Sequence, residues 1–145
     1  KFKNGKDMEK TLKKYPYLVA CLDDKIAGYA YAGAYIERTA CDWSAEISVY
    51  IAHDARKCGL GRKLYETLEQ ELKAMGIVNL YASIAYPEKE DEFLTKNSIE
   101  FHKHMGFRVI GEFRNCGYKF QRWYDLIWVE KVIGEHRCNM EGVRF

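Results

Sequence analysis

AEISVYIAHDARKCGLGRKLYETLEQELKAMG, residues 45–76, changes its hydrophobic period once, and that change decides the kind of fold. Over Ala45 to Ala52, Ile47, Val49 and Ile51 alternate with Glu46, Ser48 and Tyr50. This is the period of a half-buried strand with a carboxylate on its polar side. From Leu60 the spacing lengthens, and Leu60, Leu64, Leu68, Leu72 and Met75 recur as on one face of a helix, with Arg62, Lys63, Glu66, Glu69 and Lys73 turned outward. Gly76 stops that helix. Between strand and helix lies ARKCGLGRK, residues 55–63, an Arg and two glycines in RxxGxG spacing among further basic residues.

Upstream, a short helix is expected over Lys6 to Lys14, then a strand Tyr17 to Leu22, a polar turn at Asp23 and Asp24, and a strand from Ile26 to about Ile36. In the second of these strands Tyr29, Tyr31 and Tyr35 share one face. Gly28, Ala30, Ala32 and Ala34 share the other, where a neighbour can approach closely. Downstream, Ile77 to Ala85 is strand-like and PEKEDE reads as a solvated loop. Asn97 with Glu100 resembles a capping box that opens a helix through Met105, ended by Gly106. Strands at about Phe107 to Asn115 and Arg122 to Val132 flank a turn around Gly117, and the stretch after Gly134, without a period, reads as a mobile tail. Alternating strands and helices with a late hairpin indicate a mixed α/β domain over residues 1–133, one sheet covered by helices, and a tail over 134–145.

Composition limits the function classes. The 145 residues suit one compact domain, and a net charge of +2 lacks the basic bias of a dedicated nucleic-acid binder, so an anionic ligand has to be met locally. No apolar run approaches the roughly 20 residues of a membrane span, and KFKNGKDMEK has no signal core, so the chain reads as soluble and cytosolic. Its five cysteines are scattered, odd in number and never in CxxC spacing, which favours free thiols over disulfides or zinc.

A helix that opens in a glycine-rich turn presents unpaired N–H groups and the positive end of its dipole, a geometry that suits phosphate. Gly59 and Gly61 let backbone approach the ligand; Arg56, Lys57, Arg62 and Lys63 can add charge-assisted contacts. The same residues also suit a basic turn that merely caps a helix. Neither GxxxxGK[ST] nor GxGxxG occurs.

Arg56, Gly59 and Gly61 match the [RQ]xxGx[GA] loop of the GNAT N-acetyltransferase superfamily. YLVACLDDKIAGYAYA, DWSAEISVYI, FHKHMGF and CGYKFQRWYD resemble its phosphinothricin N-acetyltransferase branch, in the right order over about Tyr15 to Lys131. The resemblance implies a mostly antiparallel sheet with a V-shaped splay between two central parallel strands, at Ala45 to Ala52 and Ile77 to Ala85, and helices on both faces. It also implies that an N-terminal strand and helix are missing before Lys1, and that the chain forms a homodimer.

Acetyl-CoA is then the expected co-substrate, with no metal. Its pantetheine is expected along backbone groups of Val49, Tyr50 and Ile51, and its pyrophosphate on the loop from Arg56 through Lys57, Cys58, Gly59, Leu60 and Gly61 to Arg62. Asn97 is a further candidate contact, with helix capping as its other role. Glu46 matches the family's general base, although an outward carboxylate also suits a salt bridge. His102, in FHKHMGF, matches a histidine of the branch that can act as acid or base; by composition alone His104 is equally available. For the acceptor, Arg38 matches a pocket residue of the branch, whose RxAYxW segment here reads RTACDW, with Cys41 in place of the aromatic residue. Tyr118, Lys119 and Trp123 suit either that pocket or the core and dimer contacts. The implied activity is acetylation of the amino group of a small amino-acid-like acceptor such as phosphinothricin or methionine sulfoximine. Acetylation of a protein N-terminus or lysine, and non-catalytic acyl-CoA binding, are the alternatives.

Overall fold

The computed structural model describes residues 11–52, 55, 59–86 and 97–145. They form a mixed α/β fold: strands β1 (Tyr17–Leu22), β2 (Lys25–Ala34), β3 (Ser44–Ile51), helix α1 (Leu60–Met75), β4 (Asn79–Tyr86), helix α2 (Asn97–His104), β5 (Arg108–Lys119) and β6 (Arg122–Val132). The six strands make one sheet in the order β1-β2-β3-β4-β6-β5, with β1 and β5 at its edges. The pairs β1/β2, β2/β3 and β5/β6 are antiparallel. The N–H groups of Val78 and Asn79 both donate to the Trp43 carbonyl, so β3 and β4 start side by side and run parallel. Of the helix expected over residues 6–14, the described part, 11–14, is helical.

The chain divides into two compact units. The first comprises the described residues up to Leu80 together with Val132–Phe145; the second is Tyr81–Lys131. In the first unit, Asp23 and Asp24 take φ of 49° and 63°, which gives the β1–β2 hairpin the turn its two-residue loop requires. The small face of β2 receives α1. A Cβ on Gly28 would lie 2.8 Å from both Ile51 Cδ1 and the Tyr50 carbonyl oxygen, and 3.2 Å from Leu64 Cδ1. Glycine is what lets Tyr50 and Ile51 of β3 approach β2 that closely, with Leu64 of α1 just beyond them. The buried stripe of α1 is Leu64, Tyr65, Leu68 and Leu72, and Tyr65 satisfies its hydroxyl by donating to Glu69 Oε1 at 2.9 Å. Gly76, at φ 98°, closes the helix in the left-handed conformation expected of it.

The stretch after Gly134 contains neither helix nor strand, yet it is not a free tail. His136 Nε2 donates to Asn79 Oδ1 at 2.7 Å, and Asn79 Nδ2 in turn donates to Ser44 Oγ at 3.0 Å. Trp43 Nε1 donates to the Glu141 carbonyl at 2.8 Å, and Arg144 N–H donates to the Met75 carbonyl at 2.9 Å. Phe145 meets the edge of Tyr15 at 5.3 Å. Single polar and aromatic anchors hold it, and these have no period for sequence to reveal.

In the second unit the β5–β6 turn falls at Phe120 and Gln121, with φ of 55° and 59°, and not at Gly117. Gly117 lies within β5 opposite Tyr124, whose ring fills the space a Cβ would need. A register shift between Phe113 and Gly117 accompanies Asn115 at φ 48°, whose N–H donates to Asp125 Oδ1 at 2.8 Å. Among the described residues, no helix is long and apolar enough to cross a membrane.

Candidate active site

The polar side of β3 is built on pairing with β2. Glu46 stands opposite Gly33, Ser48 opposite Tyr31, and Tyr50 opposite Tyr29, so all three β3 side chains share a face with the β2 tyrosines. Tyr17 of β1 pairs with Tyr31 and extends the aromatic row. Ring centroids lie 5.3 Å apart for Tyr17–Tyr31 and 5.0 Å for Tyr29–Tyr50, with planes near parallel. Burial pushes the Tyr50 phenol up from its ordinary value, helped by neighbouring Tyr31 and Tyr29, a hydrogen bond with Tyr31, and the Glu46 charge. The alternating tyrosines of β2 are legible in sequence; their partners Tyr17 and Tyr50 come into view only with strand pairing.

At the other end of the strand, α1 opens at Gly59, in the left-handed conformation at φ 77° with no side-chain cap. Lys63 N–H is bonded to the Gly59 carbonyl at 3.1 Å, so the N–H groups of Leu60, Gly61 and Arg62 precede that bond and carry the positive end of the helix dipole. A Cβ at Gly59 would meet nothing within 4 Å, so the glycine serves backbone conformation there. Arg62 is exposed, with Glu66 Oε1 4.0 Å from its Nε. The gap at Gly28, where Ile51 and Leu64 converge, fixes the first turns of α1 against the end of β3. Val49, Tyr50, Ile51, Gly59, Leu60, Gly61 and Arg62 are therefore brought to one strand–helix junction. Arg56, Lys57 and Cys58 lie outside the described residues, as does the side chain of Asn97.

His102 belongs to the second unit and His104 to the same helix, but burial separates them. His102 is 7% exposed while His104 is in solvent. His102 Nδ1 lies 2.6 Å from the Ser98 carbonyl one turn back, and the edges of Phe101 and Phe107 flank the ring. A carbonyl can only accept, so Nδ1 carries the proton and Nε2 presents a lone pair. Among the described residues Nε2 has no hydrogen-bond partner. Burial lowers the imidazole's affinity for a second proton, opposed by the Ser98 carbonyl. This lowering carries a stability signature: the unfolded chain binds the proton more readily, so stability is full above the ordinary value of 6.5 and falls as pH drops from there through the lower folded value. Urea unfolding midpoints measured across that window should show this acid loss, and His102→Gln should flatten it.

Arg38 is exposed, in extended backbone before a 3-10 turn at Thr39–Cys41, and its carbonyl accepts the Cys41 N–H at 2.8 Å. Tyr118 is 60% exposed on β5, its ring 5.2 Å from that of its pair partner Trp123. Neither aromatic residue is part of the core.

Comparison with known proteins agrees with the mixed α/β fold. The acetyltransferase (GNAT) domain family matches residues 5–128. Phosphinothricin N-acetyltransferase of Streptomyces viridochromogenes is 35% identical over 120 residues, 83% of this chain and 62% of the relative. L-methionine sulfoximine/L-methionine sulfone acetyltransferase of Salmonella typhimurium is 33% identical over 124 residues, 84% of this chain and 67% of the relative. Among solved structures, a GNAT superfamily phosphinothricin acetyltransferase from Sinorhizobium meliloti in complex with AcCoA superposes with a TM-score of 0.75 at 32% identity, over 89% of this chain and 68% of that one. The chain thus spans less than two thirds of the length of the Streptomyces relative.

Proposed function

Because the chain belongs to the GNAT acetyltransferase family, we propose that it transfers the acetyl group of acetyl-CoA directly to the amino group of a small amino-acid-like acceptor of the phosphinothricin or methionine sulfoximine type. The observation that carries this reading is the β3–α1 junction, where a strand bearing Glu46 leads into a helix opening at an uncapped, left-handed glycine. The N–H groups at that helix start suit the pyrophosphate of acetyl-CoA, and Arg62 can move to it from its loose pairing with Glu66.

Acetyl-CoA supplies the activated acyl group when bound. Near neutral pH the acceptor is mostly an ammonium ion and has to lose a proton before its nitrogen can attack. Glu46 takes that proton in the proposed reaction. Its opposite number, Gly33, has no side chain to fence the carboxylate. His102 offers a desolvated Nε2 that can hold a proton and give it to the departing thiolate. Arg38 and Tyr118 are proposed to contact the acceptor, and Asn97 the co-substrate. The unbridged Cys21, Cys41, Cys116 and Cys138 fit a reducing cytoplasm. The edge strand β1 and the exposed aromatic residues of the β5–β6 hairpin fit a homodimer.

Thiol release from acetyl-CoA, followed with a thiol reagent, should depend on phosphinothricin, methionine sulfoximine or an amino acid. Release with peptides alone would refute the small-acceptor reading, and binding of acetyl-CoA without release on any acceptor would refute the enzyme.

A further inference from the structure

Acetylation of an ammonium group leaves a proton to be disposed of. R–NH3+ and acetyl-CoA give the amide, the free thiol and H+. Of the two hydrogens that leave nitrogen, one ends on sulfur and the other has to reach solvent in every cycle. A glutamate that kept it would be spent as a base after one turnover.

Glu46 is the only carboxylate in β1, β2 and β3, and on its face these strands also carry Ser48 and the phenols of Tyr29, Tyr31 and Tyr50. Glu46 lies opposite Gly33, and Tyr31 opposite Ser48, so Tyr31 is the diagonal neighbour of Glu46. Diagonal partners sit about 7–8 Å apart at the backbone, within reach of long side chains. Tyr50 in turn is the diagonal neighbour of Tyr31, their rings stack with centroids 6.5 Å apart, and hydrogen bonding to Tyr31 is among the causes that raise the Tyr50 phenol. Exposure rises along this line, from 9% at Tyr31 to 47% at Tyr50. The rings are held by parallel stacking, Tyr31 against Tyr17 and Tyr50 against Tyr29, which leaves the O–H as the one part of each side chain able to turn.

Resting on the acetyl-transfer reading above, we propose that the hydroxyls of Tyr31 and Tyr50 carry the proton from Glu46 to solvent. The Glu46 carboxyl gives its proton to the Tyr31 oxygen as the Tyr31 proton passes to the Tyr50 oxygen and the Tyr50 proton to water. Each O–H bond broken is matched by one formed, and Glu46 returns to carboxylate. The two hydroxyls then turn to reset the line. A raised Tyr50 phenol suits this work, because a conducting hydroxyl has to stay protonated between cycles.

The test uses Tyr31→Phe, which keeps the stacked ring and removes the hydroxyl, with Tyr50→Phe as a second variant. At low buffer concentration Tyr31→Phe should lower kcat by about 100-fold, the lower end of what proton transfer contributes. KM for acetyl-CoA should be unchanged. Raising phosphate concentration at fixed ionic strength should restore kcat, since a small buffer can take the proton in place of the missing hydroxyl. In the free protein, a titration of carbon-13-labelled tyrosine rings by NMR should show Tyr50 ionising at lower pH in Tyr31→Phe than in the wild type. Unchanged kcat in both variants, a loss that buffer does not relieve, or an unmoved Tyr50 midpoint would overturn the relay while leaving acetyl transfer intact. A wild-type protein that transfers no acetyl group would overturn the reading beneath it as well.

Discussion

Glu46→Gln is expected to lower turnover by about 100- to 10,000-fold, the range a positioned general base commands, while acetyl-CoA affinity stays as it was. The substitution keeps the shape of the side chain on β3 and its place opposite Gly33. It removes the negative charge that makes the group a proton acceptor. Initial rates of thiol release measure the first quantity and calorimetric titration with acetyl-CoA the second. A collapse of affinity at unchanged turnover per bound molecule would mean that Glu46 shapes the donor site and is not the base. The same variant separates Glu46 from the hydroxyls beside it, because buffer can replace a proton carrier but cannot deprotonate an amine held out of its reach.

Leu68→Ala is expected to cost about 2–5 kcal/mol of stability, a large fraction of the roughly 5–15 kcal/mol of a typical domain. Leu68 is 0% exposed, at the middle of the α1 stripe that lies over the small face of β2. Loss of its branched end leaves a cavity that the neighbouring Leu64 and Leu72, fixed on the same helix, cannot close. Urea denaturation followed by helical circular dichroism reads the change, and Glu71→Ala, exposed on the same helix, should stay within about 0.5 kcal/mol. A small effect at Leu68 would show that the helix is held mainly at its ends.

The parts of the fold that sequence reveals are those whose cause is local. Two aspartates at the β1–β2 turn accept positive φ readily, and the first strand of that hairpin is legible to the residue at Tyr17–Leu22, while the second, expected to about Ile36, ends at Ala34. The β5–β6 turn is not, because Phe120 and Gln121 adopt the same conformation with no chemical sign of it, while Gly117 signals a turn and serves an aromatic neighbour instead. The site divides the same way. Alternation alone puts Glu46 on the polar side of β3, and helix spacing puts Gly59 at the start of α1. Burial is a tertiary property, so the choice between His102 and His104 waits for the packing of Phe107 against the former. The loop residues Arg56, Lys57 and Cys58 lie outside the described residues, and their role in the pyrophosphate loop rests on the sequence.

The anchoring of residues 136–145 also sets an order of assembly. Trp43 and Glu141 are joined across 98 positions, and the first unit is split around the second, which is one continuous stretch of chain. During synthesis residues 81–131 all emerge between the two parts of the first unit. The earlier half has to wait, with strands β1 to β3 already made, until Glu141, Arg144 and Phe145 arrive to close it. Contacts of such long sequence separation form late and slowly. The protein is thus most vulnerable to aggregation and proteolysis in the interval before residues 134–145 have been added.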